Sequence, residues 1–177
     1  MKTLNTTGAF HFRKPPRPRD LLWQHLYRLA YLLIRCFWFL FRPKGRGTLA
    51  AIWCDDRLLL VKNAYRRGYS LPGGNRRPGE RARTAAVREI GEEVGLRLYP
   101  NQLRYCGTVV SDRDYLRDHC AYFEVRLDRA PRITIDGREV VEAVFAGPGE
   151  WGHYPLAHQV RSYLERRHDG PGGRPEQ

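Results

Sequence analysis

The chain has only four cysteines in 177 residues, Cys36, Cys54, Cys106 and Cys120, and no two of them form a CxxC pair. A zinc site or a disulfide framework needs closer or more numerous thiols, so these read as buried free thiols in a reducing, cytoplasmic compartment. Acidic charge is scarce at the N-terminus. Residues 1–46 hold ten Lys/Arg and one Asp, or +9 of the +12 formal charge, which leaves 21 basic and 18 acidic residues, or +3, for 47–177. A uniformly basic domain would suggest nucleic acid as the main partner. A basic arm beside a nearly balanced domain points as readily to an anionic membrane surface, and nucleic acid is not expected as the main partner. Internal repeats are absent, and no small-residue cleavage site follows the apolar N-terminal segment, which argues against a secretory signal peptide. The length suffices for one buried core and gives no sign of a second enzyme domain.

What is present centres on carboxylates. Gly74 to Leu96 reads GNRRPGERARTAAVREIGEEVGL and sets Glu89, Glu92 and Glu93 at i, i+3 and i+4 beside Arg88. Residues three and four apart share one helical face, so the three carboxylates converge while Glu80 lies at the helix entrance. Unpaired, they repel one another. A divalent cation with oxygen ligands turns that repulsion into binding, and Mg²⁺ normally keeps waters and substrate phosphates in its shell. A small-molecule phosphate compound is the implied substrate. Gly73 and Gly74 let the backbone come close to a metal or phosphate.

These residues resemble the Nudix box, a 23-residue pattern whose specified places are filled by Gly74, Glu80, Arg88, Glu89, Ile90, Glu92, Glu93, Gly95 and Leu96. Tyr69 to Gly74, YSLPGG, is similar to the family's lead-in, with Tyr where Trp is common. The resemblance implies an α/β/α sandwich, a mixed sheet between helices, over residues 47–168. It implies a Mg²⁺-dependent hydrolase, with Mn²⁺ as the other candidate ion, that cleaves the diphosphate linkage of a nucleoside diphosphate bonded to another group. By the same resemblance Glu89, Glu92, Glu93 and the Gly74 carbonyl hold metal. Arg88 fixes ligand geometry or meets phosphate charge, and Glu80 is structural. Glu92 or Glu89 is the general base, with Glu139 in DGREVVEAVF as alternative base or fourth ligand. The proline that marks many ADP-ribose hydrolases beyond the box is missing, since residues 101–130 contain no Pro. Nucleoside triphosphates, lipid-linked diphosphates and a non-cleaving nucleotide sensor stay open as alternatives.

Arg66, Arg67 and Tyr69 precede the Pro-Gly-Gly turn, and Arg76 lies within the box loop, so this side offers charge and an aromatic face to an anion. His119 opens a predicted strand and is a further candidate for reading a base or phosphate.

Periodicity predicts strands over Thr48 to Trp53 and Arg57 to Asn63, joined by a turn at Asp55-Asp56. Further strands are expected over Leu103 to Ser111, Ala121 to Leu127 and Glu139 to Ala146. The box helix should run from near Glu80 to Gly95, with Ala86, Ile90 and Val94 as its apolar stripe and Gly91 leaving room for close packing. A last helix is expected over Leu156 to Arg167. Residues 1–20 read as a basic flexible arm and 169–177 as a disordered tail. Between arm and domain, residues 21–41 form a hydrophobic, amphipathic helix in which Gln24, His25, Arg28 and Arg35 gather opposite Trp23, Leu33, Ile34 and Phe37. Such a helix fits an in-plane position on the inner face of a membrane. Packing on the domain or on a second subunit, as in a homodimer, and a transmembrane anchor are the alternatives.

Overall fold

A computed structural model describes residues 2–4, 10–41, 44–113 and 116–169, with side chains from 10–41, 45–110 and 118–167. Its strands are β1 (Lys2–Leu4), β2 (Phe10–Arg13), β3 (Lys44–Gly45), β4 (Gly47–Cys54), β5 (Arg57–Asn63), β6 (Gly73–Asn75), β7 (Arg104–Arg113), β8 (Leu116–Leu127) and β9 (Val140–Ala146). The α-helices among the described residues are α1 (Pro18–Phe41), α2 (Ala82–Val94) and α3 (His158–Asp169), with short 3-10 turns at Pro100–Gln102 and Pro148–His153. The strands form one mixed sheet in the order β1-β2-β9-β5-β4-β8-β3, with β6 paired to β4 and β7 to β8. β8 runs parallel to β3 and β4, and every other pairing is antiparallel.

Alternating side chains explain the layering. Along β4, Ala50 and Ile52 join the core beneath α2, with Ile90 and Phe145, whereas Ala51 and Trp53 join the core beneath α3, with Val160 and Tyr163. Both faces of the strand are therefore apolar, as a sheet covered on each side requires. This is the α/β/α sandwich expected from the sequence.

β4 also fans. Its Trp53–Cys54 end pairs with β5 and its Gly47–Leu49 end with β6, which brings Gly73 and Gly74 alongside Thr48. Asp55 sits in the hairpin turn with φ 53, the left-handed region that Asp tolerates better than most residues.

Several boundaries differ from expectation. α2 begins at Ala82, two residues after Glu80, because Glu80 is engaged by the preceding loop. Gly91 is exposed and leaves no packing gap. α3 begins at His158, not Leu156, because the Tyr69 N–H donates to the Pro155 carbonyl (2.8 Å) and the Ala157 N–H to the Tyr69 carbonyl (2.8 Å), which holds that segment extended. Cys54 and Cys120 are buried free thiols as expected, but Cys36 and Cys106 are exposed.

The N-terminus departs most. Part of the segment read as a flexible arm, 1–20, is ordered: Phe10–Arg13 pairs antiparallel with Glu142–Phe145 and satisfies the open edge of β9. His11 Nδ1 lies 3.1 Å from Glu142, and Tyr154 lies 3.0 Å from the other ring nitrogen. α1 starts at Pro18, a residue suited to a first helical turn, with the Asp20 carboxylate accepting the Arg17 N–H (3.2 Å). Residues 170–177, most of the expected tail, lie outside the described residues.

α1 turns its polar stripe inward. Asp20 and Gln24 are buried, Gln24 donates to the Gly137 carbonyl (2.9 Å), Arg138 pairs with Asp20 (3.4 Å), and Arg28 donates to the Ala64 carbonyl (3.1 Å). Spacing of four residues puts these groups on one side. The apolar side faces outward, with Leu22 at 62%, Leu33 at 62%, Leu40 at 71% and Phe41 at 67% exposure. Among the described residues no helix is long and apolar enough to cross a membrane, which overturns the transmembrane alternative for 21–41.

Candidate active site

The site is assembled where β6 meets α2. Gly73 has φ 147, and a Cβ there would lie 2.1 Å from the Thr48 carbonyl oxygen, so only glycine fits beside β4. At Gly74 a Cβ would come within 2.8 Å of the Glu89 carboxylate. The two glycines let the helix approach the strand closely enough for its glutamates to reach the backbone. Gly95 ends the helix in the left-handed conformation (φ 69), its N–H donating to the Gly91 carbonyl (3.2 Å).

Arg88 organises the carboxylates. Its Nε and Nη2 each lie 3.0 Å from one oxygen of Glu80, a two-pronged grip, while Nη1 donates to Glu89 (2.7 Å) and Glu92 (3.0 Å). Nη2 also donates to the Asn75 carbonyl (3.1 Å), which ties the helix to β6. The guanidinium holds Glu80 well below the usual carboxylate range, at about 2, and the Arg77 N–H that Glu80 accepts adds to this.

Glu93 lies deeper. It is 6% exposed, accepts the Gly73 N–H (2.9 Å) and an Asn63 amide hydrogen (3.3 Å), and burial pushes its carboxyl up to about 8. Nearby Glu139 and Glu89 push in the same direction. Burial likewise raises Glu89, against the pull of Arg88, with Glu92 and Glu139 adding repulsion. Glu139 accepts the Tyr65 hydroxyl (2.9 Å). Glu89, Glu92 and Glu139 line a cavity of about 290 Å³ together with Asn63, Gly74 and Asp118.

This donor set is all oxygen and strained by like charge, so in chemistry it fits a hard divalent cation. As they stand, no three such side chains among the described residues are close enough to hold an ion. Arg88 draws Glu89 and Glu92 to itself, and Glu93 is turned toward Asn63 and Gly73.

A family model of the NUDIX domain matches residues 43–176, most of the chain. The chain belongs to the Nudix family. The uncharacterized Nudix hydrolase YvcI of Bacillus subtilis (strain 168) is 32% identical over 72 residues, 40% of this chain and 46% of that protein. The match thus spans about half the length of that relative. Among solved structures, the MutT protein from Methanosarcina mazei Go1 shares 20% identity at TM-score 0.61, covering 70% of this chain and 92% of that one. A bifunctional NMN adenylyltransferase/ADP ribose pyrophosphatase from Francisella tularensis, complexed with AMP and a Mn ion, shares 19% identity at TM-score 0.61, covering 80% of this chain and 47% of that one. At these identities the structural likeness is one of fold.

The expected substrate residues divide. Arg66 borders the carboxylate cavity, and Arg67 lines a larger cavity beside it. Tyr69 does not face the cleft: it is buried in the core under α3, 5.0 Å from the Tyr154 ring. Arg76 donates twice to the Glu80 carbonyl (3.1 and 2.9 Å) and braces the box loop instead of lining a cavity. His119 also misses the cleft, because β8 alternates and its neighbours Asp118 and Cys120 take the cleft side. Asn63 and Tyr65 were not expected here. No motif marks them, and only the pairing of β5 and the fold of the following loop bring them to Glu93 and Glu139.

Proposed function

We propose that this Nudix chain is a Mg²⁺- or Mn²⁺-dependent hydrolase that splits the diphosphate linkage of a nucleoside diphosphate bonded to another group. The observation carrying this reading is the convergence of Glu89, Glu92 and Glu139 on one cavity at a double-glycine strand, with Glu93 directly behind. Glu89, Glu92, Glu93 and the Gly74 carbonyl would hold the ion, which when bound polarises a diphosphate oxygen and lowers the pKa of water. Glu92 takes the proton of the attacking water, whose oxygen bonds to phosphorus as the P–O bond to the leaving phosphate breaks. Glu139 is the alternative base, with one oxygen already engaged by Tyr65. Arg88 and Glu80 act as positioning residues, fixing the carboxylates on which proton transfer depends.

The decisive experiment measures product formation by the full chain with Mg²⁺ or Mn²⁺ against ADP-ribose, nucleotide sugars, dinucleotides, nucleoside triphosphates and lipid diphosphates. Glu92→Gln and Glu93→Gln should each lose about a hundredfold or more in turnover while staying folded. Near-normal turnover in both variants removes the metal-site assignment. Tight nucleotide binding without cleavage would favour a sensor.

A second reading concerns α1. Its outward apolar face, with nine of the chain's twelve net positive charges in residues 1–46, favours seating on an anionic lipid surface, and partition onto vesicles tests it.

A further inference from the structure

Beside the carboxylates lies a larger cavity of about 580 Å³, and the two share Tyr65, Arg66, Ser70, Asp118, Cys120 and Gln159 as walls. They form one continuous cleft. The outer wall of the larger part is α1, through Arg28, Tyr31, Leu32, Arg35 and Trp38. All five precede residue 43, where the family match begins. The wall is therefore an addition to the matched domain.

It is also firmly placed. The Tyr31 ring lies 5.1 Å from that of Tyr65, Trp38 meets Tyr31 edge-on at 6.4 Å, and the Arg66 guanidinium sits 5.6 Å over the Tyr31 ring. Aromatic pairs and cation–π contacts of this kind hold a pocket open in one shape. The lining chemistry narrows the occupant. Aromatic faces suit a planar ring, Asp118 and Gln159 suit its hydrogen-bonding edge, and Arg66 and Arg67 suit phosphate charge on the way to the carboxylates. An aliphatic tail would meet those guanidinium groups without gain.

We propose that α1 completes the substrate site, and that the cavity between it and the domain takes the nucleoside part of the substrate with its base against Tyr31 and Trp38. This rests on the diphosphatase reading and names the half of the substrate that lies away from the reacting phosphorus.

Calorimetric binding of the four ribonucleoside monophosphates to full-length Glu92→Gln protein tests the pocket without turnover. Tyr31→Ala and Trp38→Ala on that background should weaken the preferred nucleotide about tenfold or more, and Trp38→Phe should restore most of the loss. Leu33→Ala, on the outward face of the same helix, should change nothing. In the otherwise intact enzyme the two alanine variants should raise KM about tenfold with kcat within about twofold. Melting curves separate pocket loss from unfolding. As a second measure, nucleotide should quench tryptophan fluorescence in the parent and not in Trp38→Phe.

Unchanged affinity in Tyr31→Ala and Trp38→Ala overturns the proposal. If the parent binds none of the four while wild-type enzyme cleaves a diphosphate lacking a nucleoside, the pocket assignment fails and the diphosphatase reading stands. If the variants lose affinity but wild-type enzyme cleaves nothing, the pocket stands and the hydrolase reading fails.

Discussion

At the scale of single residues, Glu93 shows how position overrides chemistry. Three glutamates along one helix face are alike on paper, yet Glu93 is turned inward to Asn63 and the Gly73 N–H, and burial moves its carboxyl from an ordinary 4.5 to about 8. The folded state thus keeps a proton that the unfolded chain has released, so Glu93 makes metal-free stability fall as pH rises through that interval. Melting of the metal-free protein should drop by at least about 5 °C more between about pH 5 and pH 9 in wild type than in Glu93→Gln, whose amide does not ionise. Parallel melting profiles would contradict the buried-carboxyl account. Saturating Mg²⁺ should lessen the wild-type fall, because a bound cation stabilises the ionised form. Arg88 is the counter-case. Its pairing with Glu92 was legible in the sequence, since i and i+4 neighbours share a helix face, whereas its grip on Glu80, eight residues earlier, depends on the fold of the box loop.

At the scale of elements, α2 is where local rules sufficed. Its apolar stripe, its three glutamates and its C-terminal glycine follow from a 3.6-residue period. Gly95→Ala would force a side chain into φ 69 and place a Cβ 3.0 Å from that of Thr134. The expected cost is about 1–2 kcal/mol, seen as a melting point lower by roughly 2–8 °C, with kcat within about twofold because neither Gly95 nor Thr134 lines the carboxylate cavity. An unchanged melting point would show that the helix end relaxes around the substitution.

α1 was less legible. Its wheel showed two faces correctly, but which face meets protein cannot be read from the wheel. Asp20, Gln24 and Arg28 find backbone carbonyls and an arginine on the domain, so the polar face docks and the apolar face is left out. β2 escaped notice altogether, because four residues are too few to establish a period and its partners lie far along the chain, with Val144, opposite His11, 133 residues on. Tyr69 and His119 were placed near the substrate by their neighbours in sequence; alternation along β8 turns His119 away, and packing under α3 buries Tyr69.

At the scale of the whole molecule, the proposed lipid seating has the outward face of α1 and the basic N-terminal charge act together. Full-length protein should sediment with vesicles containing phosphatidylglycerol at least about tenfold more strongly than with neutral phosphatidylcholine vesicles, and added salt should weaken the binding. Leu33→Glu combined with Phe37→Glu should abolish it while leaving the inward side of the helix untouched. Equal partition of this double variant and wild type would end the membrane reading, and a stable dimer without vesicle binding would assign the face to a second copy.

The sequence by itself determined the sheet's main strands, the box helix and the grouping of its carboxylates, because these depend on periods of two and 3.6 residues and on groups only a few positions apart. Tertiary structure alone decided that Asn63 and Tyr65 meet the carboxylates, that Tyr69, Arg76 and His119 do not line the cleft, and that α1 walls it. Those outcomes depend on which strands pair and which helix face docks, and such choices are made by contacts between residues far apart in the chain.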